Sequence, residues 1–280
     1  MPASFALMFS GQGSQHPQML RWLPGGDWRA VLADPERAAR NAFAQPLLTR
    51  TGLAAWQDLA PRLPPPAAMA GYSVGELAAF AAAGVFDADA AIELAGLRAA
   101  AMDACPPGGL LAVSGAAQLA WPGLEIAIRN APELHILGGP DAALQKAEAA
   151  FTARGLRCTR LKVQVASHTS LMRWAARAFA AELAMRPLQP PRHRLLDSRG
   201  DTIRSPISAA ATLAAQIDHA VHWDDTLDAL QARQPACALE IGPGSALATM
   251  WNQRFPGTPA RSADEFESAE AVAAWVLARL

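Results

Sequence analysis

Apolar and polar positions along the chain group into short strands alternating with longer helices. Residues 5–9 form an unbroken apolar run cut off by Gly11-Gln12-Gly13, which predicts a buried strand feeding a glycine-rich loop. From residue 35 to about 59 polar residues recur at helical spacing in an Ala/Leu-rich stretch, ended by Pro61 and Pro64-Pro65-Pro66. Residues 67–70 then predict a short strand, 71–75 a tight turn, and 77–83 a helix stopped by Gly84. Asp87 is a good N-cap for a helix running to about residue 104, before Pro106-Pro107-Gly108-Gly109.

The texture changes between residues 110 and 165. Strands are expected at 110–114, 125–129, 134–138 and 158–165, with one helix after the first strand and a clear one at 141–154. Two strand–helix–strand units in so short a span predict a small ferredoxin-like subdomain, inserted into a catalytic part made of 1–109 and 166–280. In that larger part strands and helices alternate to the end, with Pro206 opening a helix and 238–241 a strand. Such alternation predicts an α/β fold, a mostly parallel sheet with helices on both faces, of the α/β-hydrolase-like kind. No internal repeat is evident.

Composition narrows the class. The 280 residues are 51% hydrophobic and 18% charged, with a net charge of −1. That is too apolar for a disordered chain and too neutral for a nucleic-acid binder. Cys105, Cys158 and Cys237 lie far apart with no zinc-like spacing, so neither a disulfide framework nor a metal site is expected. The N-terminal run, residues 1–9, lacks a basic leader and reads as a core strand, and the longest apolar stretch, near residues 77–86, is too short to span a bilayer. The expectation is a soluble cytoplasmic monomer without membrane contact. Neutrality hides an asymmetry: residues 151–204 hold eleven basic and three acidic residues, a balance of +8 against −9 for the rest. The block is either a solvated face or a docking surface for an acidic partner.

Candidate chemistry centres on Gly71-Tyr72-Ser73-Val74-Gly75, a G-x-S-x-G pattern between a strand and a helix. Its glycines permit a sharp turn that presents the Ser73 hydroxyl at a helix N-terminus, where the Val74 N–H can face an oxyanion. A nucleophilic serine needs a base. Of His16, His135, His168, His193, His219 and His222, His168 stands out, in Ser167-His168-Thr169 directly after a predicted strand. His219 and His222 have a metal-like i, i+3 spacing that no third ligand completes.

These residues carry a resemblance. The opening Phe9-Ser10-Gly11-Gln12-Gly13-Ser14-Gln15 resembles the F-P-G-Q-G-S-Q of malonyl-CoA:acyl-carrier-protein transacylases, a family that includes polyketide synthase acyltransferase domains. Residues 71–76 resemble its G-H-S-x-G-E, Arg98 through Met102 its R-x-x-x-M, and Asn130 with Gly138-Gly139 its N-x-P and v-x-S-G stretch. Ser167-His168 through Met172 resembles S-H-x-x-x-M, and Glu240-Ile241-Gly242-Pro243-Gly244 resembles E-x-G-P-G. Six blocks in order cover nearly the whole chain.

The resemblance implies that Ser73 attacks an acyl-CoA thioester with His168 as general base. The thiol of a carrier protein then takes the acyl group from the serine, and no cofactor is used. Backbone N–H groups of Gln12 and Val74 would hold the oxyanion, and the Gln216 carbonyl would orient His168. Arg98, among apolar neighbours (Leu94, Ala95, Leu97), would clamp the malonyl carboxylate, with Met102 and Asn130 beside it. An acidic carrier would dock on Arg173, Arg177, Arg186, Arg192, Arg194 and Arg199. The departures are Tyr72 for histidine, Ser10 for proline, His219-Ala220 for Asn-Pro, and a shortened segment between Gln15 and Ser73. They leave open a specialised member, serving a malonate decarboxylase carrier subunit or a trans-acting synthase. A serine hydrolase acting on esters or thioesters is the alternative from another class, and a non-catalytic CoA- or carrier-binding subunit is a third.

Overall fold

Strand β1 (Phe5–Phe9) is buried at all five positions because it lies inside a sheet covered on both faces. Phe5, Leu7 and Phe9 enter one apolar cluster, and Ala6 and Met8 enter another. The computed structural model describes residues 4–23 and 32–280, so the first three residues of the N-terminal run lie outside the described ones. β1 pairs in parallel with β2 (Ala68–Gly71) on one side and β10 (Cys237–Ile241) on the other. β11 (Ala260–Ser262), β7 (Leu195–Leu196) and β8 (Thr202–Ile203) complete the order β11-β10-β1-β2-β7-β8, antiparallel only between β7 and β8.

One face of this sheet packs against the helices Asn41–Leu59, Gly75–Ala82, Ala88–Asp103 and Arg173–Ala184, which share a single apolar cluster. Helices Trp223–Gln231 and Ala246–Arg254 cover the other face, together with Leu110, Ile128 and Ile136 of a second sheet. Asp87 caps its helix as expected, accepting the Ala90 N–H. The stretch predicted as one helix from residue 35 divides into Pro35–Ala39 and Asn41–Leu59, because Arg40 is extended (φ −68°, ψ 135°).

The second sheet runs β6-β3-β5-β4-β9, with β3 (Gly109–Ser114), β4 (Glu125–Ala131), β5 (Leu134–Gly139) and β6 (Arg157–Arg160) mutually antiparallel. That is the strand order of the ferredoxin-like motif. Three details differ from expectation. The first crossover, residues 115–124, is not helical: Gly115 and Gly123 take positive φ, and Pro122 sits between them. β6 stops at Arg160 rather than 165, since the chain there leaves the sheet edge for the larger core, where Val163 packs and Val165 bridges Pro107. Finally, β9 (Val221–His222), far outside 110–165, adds a parallel edge strand beside β4.

Candidate active site

Ser73 sits at the C-terminal end of β2, between that strand and the Gly75–Ala82 helix. The turn is tight enough to demand glycine on both sides. A Cβ on Gly71 would lie 2.2 Å from the Glu76 nitrogen, and one on Gly75 would lie 2.3 Å from the Phe9 carbonyl oxygen. Ser73 itself is forced to φ +54°, an unfavourable conformation for a residue with a side chain. Among the described residues neither the Val74 N–H nor the Gln12 N–H donates to a protein acceptor. The Gln12 side chain donates to the Ala39 carbonyl at 2.7 Å.

The Ser73 Oγ lies 2.8 Å from His168 Nε2. The other ring nitrogen, Nδ1, lies 2.6 Å from the Gln216 carbonyl oxygen, which can only accept. Nδ1 therefore carries the proton, and Nε2 is free to accept from the serine. His168 has φ +64°, and its own N–H donates to the Ile217 carbonyl at 2.9 Å, so backbone and ring are fixed by the same segment. Burial, then the nearby positive charge of Arg98, lowers the His168 pKa to about 3, against the opposing pull of the Gln216 carbonyl. The imidazole is neutral at any physiological pH.

Arg98 is only 3% exposed, although it carries a charge. Its Nη1 donates to Gln45 Oε1 at 2.8 Å and its Nη2 to Gln216 Oε1 at 3.0 Å; both acceptors are neutral amides. Among the described residues no carboxylate is hydrogen-bonded to it. Burial lowers its pKa to about 10, opposed by the field of Glu76. Glu76 is itself buried, and burial followed by repulsion from Asp197 raises its pKa to about 8, against the opposing pull of Gln216, Arg98 and the Ser198 backbone. Gln216 joins the pieces: its side-chain N–H also donates to the Ser73 carbonyl at 3.0 Å.

A cavity of about 80 Å³ connects these groups, lined by Gln12, Tyr72, Ser73, Val74, Arg98, Met102 and His168 from the first sheet's side. Leu110, Ile128 and Ile136 face it from the second sheet, so it lies between the two sheets. Of the residues singled out in the sequence, Asn130 and Gln216 are buried behind this lining rather than in it. Gln45 escaped sequence reasoning, and Glu76 entered it only as the last residue of the elbow motif, with no role assigned. Gln45 sits on the buried face of the Asn41–Leu59 helix, and Glu76 opens the helix after the elbow; a polar residue on an apolar face was the available signal. A groove of about 700 Å³ bordered by Pro35, Pro107, Arg160 and Lys162 shares Leu161 and Val163 with the cavity.

The six arginines expected to dock a partner do not form one patch. Arg173 and Arg177 are exposed on the helix that follows His168, flanking Trp174, which is 58% exposed. Arg199 borders a surface pocket with Gln216 and His219. Arg192 and Arg194 precede β7, whose Leu195 pairs with Met69, so they lie at the end of the sheet opposite Ser73. Arg186 is taken up by Glu93 in a two-pronged ion pair at 2.9 and 2.7 Å. Among the described residues no cluster of His, Cys, Asp and Glu could hold a metal, and no helix is long and apolar enough to cross a membrane.

Residues 27–276 match the model of the acyl transferase domain family. The malonyl CoA-acyl carrier protein transacylase of Mycobacterium bovis is 34% identical, over 92% of this chain and 95% of that protein. Among solved structures, MCAT from Mycobacterium tuberculosis superposes with a TM-score of 0.83 at 31% identity, covering 96% of this chain and 99% of that one. A malonyl-transacylase, PlMCAT, solved in complex with the type II PKS acyl-carrier protein AntF, gives 0.86 at 25% identity, covering 97% and 99%.

Proposed function

The chain belongs to the acyl transferase domain family and is an acyltransferase, and on that premise we propose that it carries a malonyl group from malonyl-CoA to the phosphopantetheine thiol of an acyl-carrier protein. The observation that carries this reading is a buried arginine, bonded among the described residues to neutral amides, in the same cavity as a serine–histidine pair. Its guanidinium is a built site for a small carboxylate.

In the first half-reaction the Ser73 hydroxyl gives its proton to His168 Nε2 as Oγ adds to the thioester carbonyl. The Gln12 and Val74 N–H groups stabilise the tetrahedral oxyanion, and the Gln216 carbonyl stabilises the imidazolium. Collapse expels CoA, whose sulfur takes the proton back from His168, leaving malonyl-Ser73. In the second half the carrier thiol gives its proton to His168 and attacks the ester; the proton then returns to Ser73. The malonyl carboxylate has a second effect besides anchoring. It offsets the Arg98 charge that depresses His168, so the base strengthens when an acidic acyl group is bound. An acetyl group brings no such charge.

This chemistry uses no metal or cofactor, with CoA as a substrate. The groove flanked by Arg160 and Lys162 suits the pantetheine arm and phosphates of CoA. Arg173, Arg177 and Arg199 are the arginines best sited for an acidic carrier, while Arg186, Arg192 and Arg194 have other surroundings. Three unpaired cysteines suit a reducing cytoplasm. The test is a partition experiment. Acyl-enzyme formed with labelled malonyl-CoA and freed of excess thioester is divided between buffer and holo-carrier protein. Label should move to the carrier and leave slowly into buffer; equal loss into both would make the protein a thioester hydrolase.

A further inference from the structure

Tyr72 stands directly before Ser73, and its side chain reaches from the first sheet into the second. Its phenol O–H donates to Asn130 Oδ1 at 3.0 Å, and Asn130 is a buried residue of β4. The ring meets Trp223 edge-on, with centroids 5.2 Å apart and planes at 85°, and Trp223 is fully buried at the head of its helix. The same ring lines the cavity together with Ile128 and Ile136, which belong to β4 and β5. On the other side the Tyr72 N–H is bonded to the Phe9 carbonyl at 2.9 Å. Behind the ring, a Cβ on Gly11 would come within 2.8 Å of Tyr72 Cδ1, so the ring packs closely against the Gly11 backbone.

We propose that Tyr72 determines acyl-chain specificity: its hydroxyl pins Asn130, and with it the apolar face of β4, at the separation from Ser73 that admits an unbranched malonyl group. The inference rests on the acyl-CoA reading above. The cavity is small, about 80 Å³, and Tyr72 walls it beside Ile128 and Ile136. A branch on the α-carbon must displace one of these walls. Packed interiors resist added methyl groups, and an apolar pocket of fixed width discriminates a single methylene by about 10- to 200-fold. Arg129 with Asp224 and Asp225, Glu125 with Ser170, and the pairing with β9 hold β4 as a whole, so loss of the pin frees the stretch around Asn130 and its neighbour Ile128 to yield.

The measurement is rapid-quench acylation of Ser73 by malonyl-CoA and by methylmalonyl-CoA, which adds one methyl on the α-carbon. Tyr72→Phe keeps the ring and removes the pin, Asn130→Ala removes the pin from the other side, and Tyr72→Ala removes ring and pin together. The ratio of kcat/KM for the two thioesters should fall about 3- to 10-fold in Tyr72→Phe and in Asn130→Ala, the size expected for one lost hydrogen bond. The double variant should fall no further than either single one, because both act through the same bond. Tyr72→Ala should fall by at least about 10-fold. An unchanged ratio in Tyr72→Phe and Asn130→Ala, or equal losses with both thioesters, overturns the proposal whatever happens to Tyr72→Ala. If the unaltered protein forms no malonyl-Ser73, the parent reading has failed instead, and the two failures are told apart by that control.

Discussion

Arg98 and Arg186 carry the same charge in opposite circumstances. Arg186 lies on the outer face, where Glu93 meets it with both oxygens and holds its pKa above the usual value. Arg98 lies in the cleft between the sheets, where two glutamines satisfy its donors and burial lowers its pKa to about 10. An exposed ion pair like the first contributes roughly 0–1 kcal/mol. A buried charge without a bonded counter-ion costs several kcal/mol, which the fold must offset elsewhere. The outer arginine needs only its neighbour, whereas the inner one is held at a cost that an arriving carboxylate relieves. Charge bonded to neutral amides in a buried cleft marks the site; charge neatly paired on the surface does not.

The largest test of that contrast is removal of each side chain. Arg98→Ala should lower kcat/KM for malonyl-CoA by roughly 10²- to 10³-fold, the scale of truncating one partner of a buried charge pair, while acetyl transfer is kept or rises. Arg186→Ala should leave both activities alone and change stability by less than about 1 kcal/mol. Equal losses of malonyl and acetyl transfer in Arg98→Ala would mean that the arginine supports structure rather than substrate.

Next in size is the response to pH. With the His168 pKa lowered to about 3, acylation should lack a titration near 6.5 that an exposed histidine would give. The sign for stability follows from linkage. The unfolded chain takes up the His168 proton near 6.5 and the folded chain only near 3, so this contribution is present above 6.5 and lost as pH falls toward 3. Glu76 acts in the opposite direction: raised to about 8, its contribution is present below the ordinary carboxylate value and lost as pH rises through about 8. Glu76→Gln should therefore flatten the decline in melting temperature between about pH 4.5 and 8, while leaving the acid limb in place. A persistent decline of the same slope in that window would assign it to another group.

The smallest expected effects concern the basic block. Reversing Arg173 and Arg177 to Glu should raise KM for the carrier several-fold at low salt, less at high salt, without altering acylation by malonyl-CoA. Reversing Arg192 and Arg194, at the far end of the sheet, should do neither. If the second pair matters as much as the first, docking reaches beyond the cleft's own side of the molecule.

The same contrast explains what could be read from the chain alone. Ser73 and His168 were legible because their chemistry demands local sequence: glycines where a Cβ would collide at 2.2 and 2.3 Å, and a histidine in a fixed short motif. β1 and β10 were legible as apolar runs. The two-residue strands β7, β8 and β9 were not, since pairing over two residues leaves no periodicity, and β9 joins a sheet whose other strands lie about 60 to 110 residues earlier. The predicted first crossover helix failed against Gly115, Pro122 and Gly123. Gln45 went unseen, and Glu76 was matched without a role, because both act through Arg98, which tertiary packing alone brings near them. The basic block shows the converse: residues close in sequence, Arg173 to Arg199, are spread over both ends of a sheet.

The most direct measurement is intact-protein mass spectrometry after brief incubation with malonyl-CoA or acetyl-CoA, followed by peptide mapping. The expected result is one malonyl adduct on the peptide containing Ser73, weak or absent acetylation, and no adduct in Ser73→Ala. Equal labelling by both thioesters, or a malonyl adduct that survives Ser73→Ala, would contradict the account.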